Sequence, residues 1–143
     1  ETLKSEESIK IASDLGLENS PWEAPVCLKC HTTGYGSGGY ELEDDAFWAQ
    51  TKKNGKPEKA VKRMTGLQGV GCEACHGPGS KYKKKKAMTA VYKGEMDSAS
   101  VGLWRIDEGT CKQCHNESSP TYKPFEYEKR LKEIAHPYPD DMK

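Results

Sequence analysis

One five-residue pattern, Cys-x-x-Cys-His, restricts this chain more than any other feature. It occurs at Cys27-Leu28-Lys29-Cys30-His31, Cys72-Glu73-Ala74-Cys75-His76 and Cys111-Lys112-Gln113-Cys114-His115. The three copies use all six cysteines and three of the four histidines. The pattern is that of a c-type haem attachment site. Each thiol adds to one vinyl group, and the adjacent histidine reaches the iron as proximal ligand. Disulfides suit an exported protein, but they give no reason for a histidine after every second cysteine. Structural zinc uses paired Cys-x-x-Cys knuckles. Three knuckles leave one over, and zinc does not require the adjacent histidine. Covalent haem is the reading that uses every residue of the pattern.

Composition points the same way. Only 34 % of the 143 residues are hydrophobic, and Phe occurs twice. Such a chain buries too little apolar surface to offset its ordering entropy. Three porphyrins supply the missing core. The predicted fold is mostly α with extensive loop and little or no sheet, a single trihaem domain over residues 1–143 organised around three covalently bound haems c. The apoprotein is expected to be largely unfolded. Lys plus Arg equal Asp plus Glu at 22 each, for zero formal net charge. No bulk field therefore favours nucleic acid or an anionic membrane, and no apolar run reaches the length of a membrane span. The chain starts at Glu1 without a leader, which reads as a mature or trimmed product. Haem is attached outside the bacterial cytoplasm, so the expected location is periplasmic or extracellular.

Along the chain, Ser5 to Leu15 reads as a helix capped by Ser5, started by Glu6 and Glu7 and closed by Gly16. Pro21 and Pro25 set an extended approach to the first motif, and Trp22 reads as a packing residue. Thr33 to Tyr40 is a glycine-rich loop. It lacks the G-K-[ST] of a phosphate cradle, so its glycines are assigned to close backbone approach to a flat cofactor. Glu41 to Gln50 is a short helix carrying Phe47 and Trp48, and Asn54-Gly55 with Pro57 is a turn. Glycines on both sides of the second motif exclude bulk, as a second porphyrin would require.

Lys81 to Lys86 is basic except at Tyr82 and reads as a solvated helix face continued by Ala87 to Tyr92. Docking of an acidic redox partner is the sharper alternative. Met88 or Met96 offers a sixth ligand in principle, but packing or surface is the commoner role of methionine. Trp104 and Ile106 are expected to be buried within a mixed loop. Phe125 to Ala135 is the clearest helix, with Tyr127, Leu131 and Ile134 on one face and Pro137 ending it after His136. The tail to Lys143 is expected at the surface.

The segment Gly69-Val70-Gly71-Cys72-Glu73-Ala74-Cys75-His76-Gly77-Pro78-Gly79 resembles the haem segment of the cytochrome c554 family of multihaem cytochromes. Glu1-Thr2-Leu3-Lys4, Tyr122-Lys123-Pro124-Phe125 and the late His136 resemble it too. The resemblance implies a mostly helical tetrahaem electron carrier with closely packed haem pairs. It also implies a further haem motif and ligand histidine upstream of this chain's start, and a histidine soon after Gly77-Pro78-Gly79. Here that position reads Ser80-Lys81-Tyr82. A truncated or cleaved member, or one completed by another chain, is the expectation.

Three haems present six axial positions, and His31, His76 and His115 take the proximal ones. One histidine remains. His136 is expected to be a distal ligand, of the Cys72/Cys75 haem first and the Cys111/Cys114 haem next. The Cys27/Cys30 haem is then left without an intrachain distal histidine. The resemblance implies that its distal side is lined by Lys123, Pro124 and Phe125. The leading function is electron transfer with redox partner proteins. One alternative is a redox enzyme acting on a small nitrogen oxide or peroxide at a five-coordinate haem. Another is a subunit of a filament or complex, in which a second copy or a partner chain completes the ligation.

Overall fold

The computed structural model describes residues 2–137. Among them the regular secondary structure is helix, apart from one isolated antiparallel bridge between Thr51 and Pro57. The chain divides into two compact units, Glu1–Ala74 and Cys75–Lys143.

The first unit holds α1 (Glu6–Asp14), α2 (Pro25–His31), α3 (Asp45–Trp48) and α4 (Lys59–Gly66). Ser5 caps α1 by accepting from the Ser8 N–H at 3.2 Å, as its sequence requires. Gly16 takes φ +66° just past the end, the left-handed conformation that suits glycine there. Pro25 does not extend the approach to the first motif. It is the first residue of α2, where its missing N–H is harmless and its fixed φ fits a helix.

The core of this unit is Leu28, Tyr40, Met64 and Leu67, with Leu3, Tyr35, Phe47 and Trp48 packed against it. Leu28 is the second residue of the first Cys-x-x-Cys and is 2 % exposed. The motif is therefore anchored into the core from within. The α3 helix is shorter than its sequence suggests. Asp44 caps it through the Phe47 N–H, and Trp48 turns its indole N–H back to the Glu43 carbonyl at 3.1 Å.

The second unit holds α6 (Lys85–Tyr92), α7 (Glu108–Lys112) and α8 (Tyr127–Ile134). The helix α5 (Cys72–His76) carries the second motif, and the boundary between the units falls after its Ala74. Of the eight buried hydrophobic residues described, only Tyr82 belongs to the second unit. Its helices lack a polypeptide core of ordinary size. The α8 helix shows the consequence: Tyr127 and Leu131 are half-buried, and Ile134 on the same face is 60 % exposed.

Two expectations are corrected here. The lysine run is mostly outside a helix, because α6 begins only at Lys85, after a turn fixed by Tyr82. Trp104 is 52 % exposed, because its ring lies over the backbone of Gly77 instead of entering a core, and Ile106 is half-buried. In the glycine-rich loop one close approach is chain on chain: a Cβ on Gly39 would run into the Thr33 carbonyl and Gly34, while Gly36 and Gly38 face open space. The tail beyond residue 137 lies outside the described residues.

Candidate functional site

The first motif lies wholly on α2 and the second wholly on α5. Cysteines three apart on a helix share one face, and the following histidine projects one turn on. The third motif is built differently. Cys111 lies in α7, and Cys114 and His115 follow in a turn, with both N–H groups donating to the Cys111 carbonyl at 3.2 and 3.0 Å. That turn keeps the same spacing after the helix has ended. Asn116 continues it by donating through its side-chain amide to the Lys112 and Gln113 carbonyls.

All six cysteines are free thiols, five of them half-buried and Cys72 exposed. Partial burial pushes the Cys27 thiol up in pKa, and the neighbouring Cys30 adds to the shift. Burial also raises Cys111, with the negative charges of Cys75, Asp107 and Glu108 contributing. The direction is opposite to that of an activated thiolate. Among the described residues no three His, Cys, Asp or Glu side chains converge on a point that could hold a metal ion.

His31 is exposed at the end of α2 and opens onto a cleft of about 720 Å³. Leu3, Trp22, Leu28, Tyr40, Leu42 and Trp48 give the cleft its apolar wall, and Gln68 to Val70 close one side. Thr2, Lys4, Glu23, Thr32, Glu43 and Asp45 make the rest of the lining polar or charged, and Cys27 and Cys30 stand on α2 outside it. It is the Cys-x-x-Cys-His chemistry of α2 that fits a haem. His31 is the one histidine of the lining, which contains neither methionine nor cysteine.

Thr33 holds this cleft to the approach of the second motif. Its hydroxyl donates to the Gly69 carbonyl at 2.6 Å and accepts from the Gly71 N–H at 2.8 Å, and its own N–H donates to Leu67. Thr32 satisfies its buried hydroxyl on the Leu28 carbonyl at 2.7 Å. Sequence reasoning missed both threonines. Each has a partner in the backbone alone, and for Thr33 that partner is 36 residues away.

In the second unit His76 is held from two sides by Trp104. The Trp104 N–H donates to the His76 carbonyl at 3.0 Å, and the His76 Nδ1 lies 3.4 Å from the Trp104 carbonyl. A proton on Nδ1 leaves the Nε2 lone pair for a metal, the usual outer-shell arrangement of a ligating histidine. Gly77 is buried at φ +76°, and a Cβ there would meet the Trp104 ring at 2.8 Å. The Trp104 ring occupies the space that a side chain at Gly77 would need. His136 is exposed, with Nδ1 3.4 Å from the Pro137 carbonyl, and its ring centre is 6.1 Å from that of His76 at an interplanar angle of 69°. Lys123 and Pro124 are exposed; Phe125 stacks on His115 at 4.7 Å and 16°. Met88 and Met96 are both 37 % exposed.

Among the described residues no helix is long and apolar enough to cross a membrane. The profile of the family described as cytochrome c554 and c-prime matches residues 1–49 and 43–77, more than half the chain. Cytochrome c-554 of Nitrosomonas europaea is 33 % identical over 115 residues, which is 69 % of this chain and 41 % of that protein. The chain thus spans about two fifths of that relative's length. No solved structure matches the chain. With haem-attachment motifs on helical turns and a sequence that follows this profile through the first two of them, the chain belongs to the cytochrome c554 and c-prime family of c-type cytochromes.

Proposed function

We propose that this chain is an electron-transfer protein carrying three haems c, working as one domain outside the bacterial cytoplasm with redox proteins as partners. The observation that carries this reading is that each Cys-x-x-Cys-His is folded with its two thiols on one turn and its histidine immediately beyond. Cys27/Cys30, Cys72/Cys75 and Cys111/Cys114 hold the porphyrins, and His31, His76 and His115 are the proximal ligands. Bound haem supplies a reversible one-electron couple, tuned by axial ligand, burial and hydrogen bonding. The chain's own residues orient the ligands. Trp104 fixes the His76 ring through its backbone, and Leu28 anchors the α2 turn that presents His31.

His136 is the distal partner of His76 in this reading. The two ring centres are 6.1 Å apart, near enough that both imidazoles would hold one iron. Both histidines direct Nδ1 towards a carbonyl, leaving Nε2 free. For the Cys27/Cys30 haem the reading adds a sixth position without an intrachain histidine, because the fourth and last histidine of the chain is assigned to the iron of His76. Such a position admits a small ligand and allows redox chemistry on it.

Intact-protein mass tests the haem count, with three additions that survive acid extraction as the expected result. Two or fewer on matured protein would refute the count. His136→Ala should convert one low-spin haem to high-spin, and an unchanged visible spectrum would count against the ligand assignment. Cyanide or nitric oxide titration tests the first haem: a single binding equivalent is expected, and no binding to any haem overturns the open position.

A further inference from the structure

The segment 81–86 carries five lysines in six residues, and no carboxylate occurs anywhere from Ala74 to Gly94. Its placement is unfavourable for the helix it precedes. Lys84 is the N-cap of α6, and Lys85 and Lys86 are its first two residues. A helix start is the positive pole of the backbone dipole and ordinarily carries acidic side chains. Other helices of the chain follow that rule, with Glu6 and Glu7 on α1, Asp45 on α3 and Glu108 on α7, while α2 and α4 carry no acidic residue in the first turn, and none but α6 opens on consecutive lysines. Local folding therefore gives no account of the lysines. Lys81, Lys83, Lys84 and Lys86 are exposed, and among the described residues no carboxylate pairs with them.

Nor is the segment a loose tail. Tyr82, in its middle, is 6 % exposed and donates its hydroxyl to the Gly77 carbonyl at 2.6 Å. The Lys83 N–H donates to the Gly79 carbonyl at 2.9 Å. Gly77 directly follows His76. The positive charge is thus pinned to the backbone that leaves the second motif, at a fixed place beside the histidine proposed to ligate that iron.

We infer that segment 81–86 is the docking surface for an acidic redox protein, which it orients towards the Cys72/Cys75 haem. This rests on the reading of the chain as a haem electron carrier. Four exposed lysines within six residues, Lys81, Lys83, Lys84 and Lys86, match a face of carboxylates better than one small anion, and complementary charge of this kind raises the rate of encounter and fixes its orientation. The chain's zero net charge means that the attraction belongs to the patch, not to the molecule as a whole.

The test uses the haem-loaded protein with reduced flavodoxin, a small acidic electron donor, as probe. Lys83→Glu, Lys84→Glu and Lys86→Glu are combined in one variant, and Lys83→Gln, Lys84→Gln and Lys86→Gln in a milder one. The control is Lys52→Glu, Lys53→Glu and Lys56→Glu, an equal charge change at an exposed turn of the first unit. Expected is a second-order reduction rate about tenfold lower at low ionic strength in the Glu variant, an intermediate loss with Gln, and less than twofold in the control, all converging at high salt. Calorimetric affinity for flavodoxin should fall in parallel, and it requires no electron transfer. Equal losses in patch and control variants, no loss in either, or no salt-dependent binding by the unaltered protein each overturn the inference. Reduction by dithionite is the separate check on the electron-carrier reading, because failure to reduce the haems would sink that reading whatever the binding data show.

Discussion

Gly77→Ala is the most discriminating single change the structure offers. The substitution imposes two costs. A non-glycine residue at φ +76° pays about 1–2 kcal/mol for the left-handed backbone. The new Cβ would also stand 2.8 Å from the Trp104 ring, and forced overpacking of this kind costs about 1–3 kcal/mol. The sum is roughly 2–5 kcal/mol, a large share of the stability of a small domain. Gly94→Ala is the internal control. Gly94 has φ +73° but nothing within 4 Å of its Cβ position, so only the backbone cost of about 1–2 kcal/mol applies.

Urea unfolding of the two haem-loaded variants should therefore show Gly77→Ala less stable than Gly94→Ala by about 1–3 kcal/mol. Adding Trp104→Ala to Gly77→Ala removes the obstruction, so the two changes should couple by a similar amount in a double-mutant cycle. Because Trp104 also contacts His76 through both backbone groups, Gly77→Ala should shift the reduction potential of one haem, and Gly94→Ala should not. If Gly77→Ala costs no more than Gly94→Ala and moves no potential, the packing of Trp104 over the second motif is refuted.

Thr33→Val removes both hydroxyl hydrogen bonds while keeping shape. It should cost about 1–3 kcal/mol by leaving the Gly71 N–H and Gly69 carbonyl without this partner, whereas an unchanged urea midpoint would show the tie to be dispensable. Asp107 has its pKa lowered, first by the backbone and then by the side-chain hydrogen bond from Thr110. A depressed folded-state pKa means its stabilisation is present above the ordinary aspartate range and lost as pH falls through the lowered value. Asp107→Asn should flatten that part of the acid-unfolding profile; a profile identical to that of the unaltered protein would contradict the cap. Without haem attached, the chain should lose cooperative unfolding altogether, the second unit first, since Tyr82 is its only buried hydrophobic residue among those described. A sharp calorimetric transition in the apoprotein would overturn this.

Local rules determined much of this protein from sequence. The Cys-x-x-Cys-His patterns, the Ser5 cap, the Gly16 close of α1 and the Tyr127–Leu131 face of α8 all depend on residues a few positions apart, and covalent geometry and helix periodicity fix these without distant help. The poor core was also legible, because composition alone bounds the apolar surface available. What only tertiary structure decided involves partners far along the chain. Thr33 bridges to Gly69 and Gly71, Trp104 lies on Gly77 and His76, and His136 comes within 6.1 Å of His76. No periodicity encodes such pairings. The glycine at 77 shows the difference most directly. The sequence requires that something exclude a side chain there, but which neighbour does so depends on how residues 27 positions apart pack, and the neighbour is an indole ring.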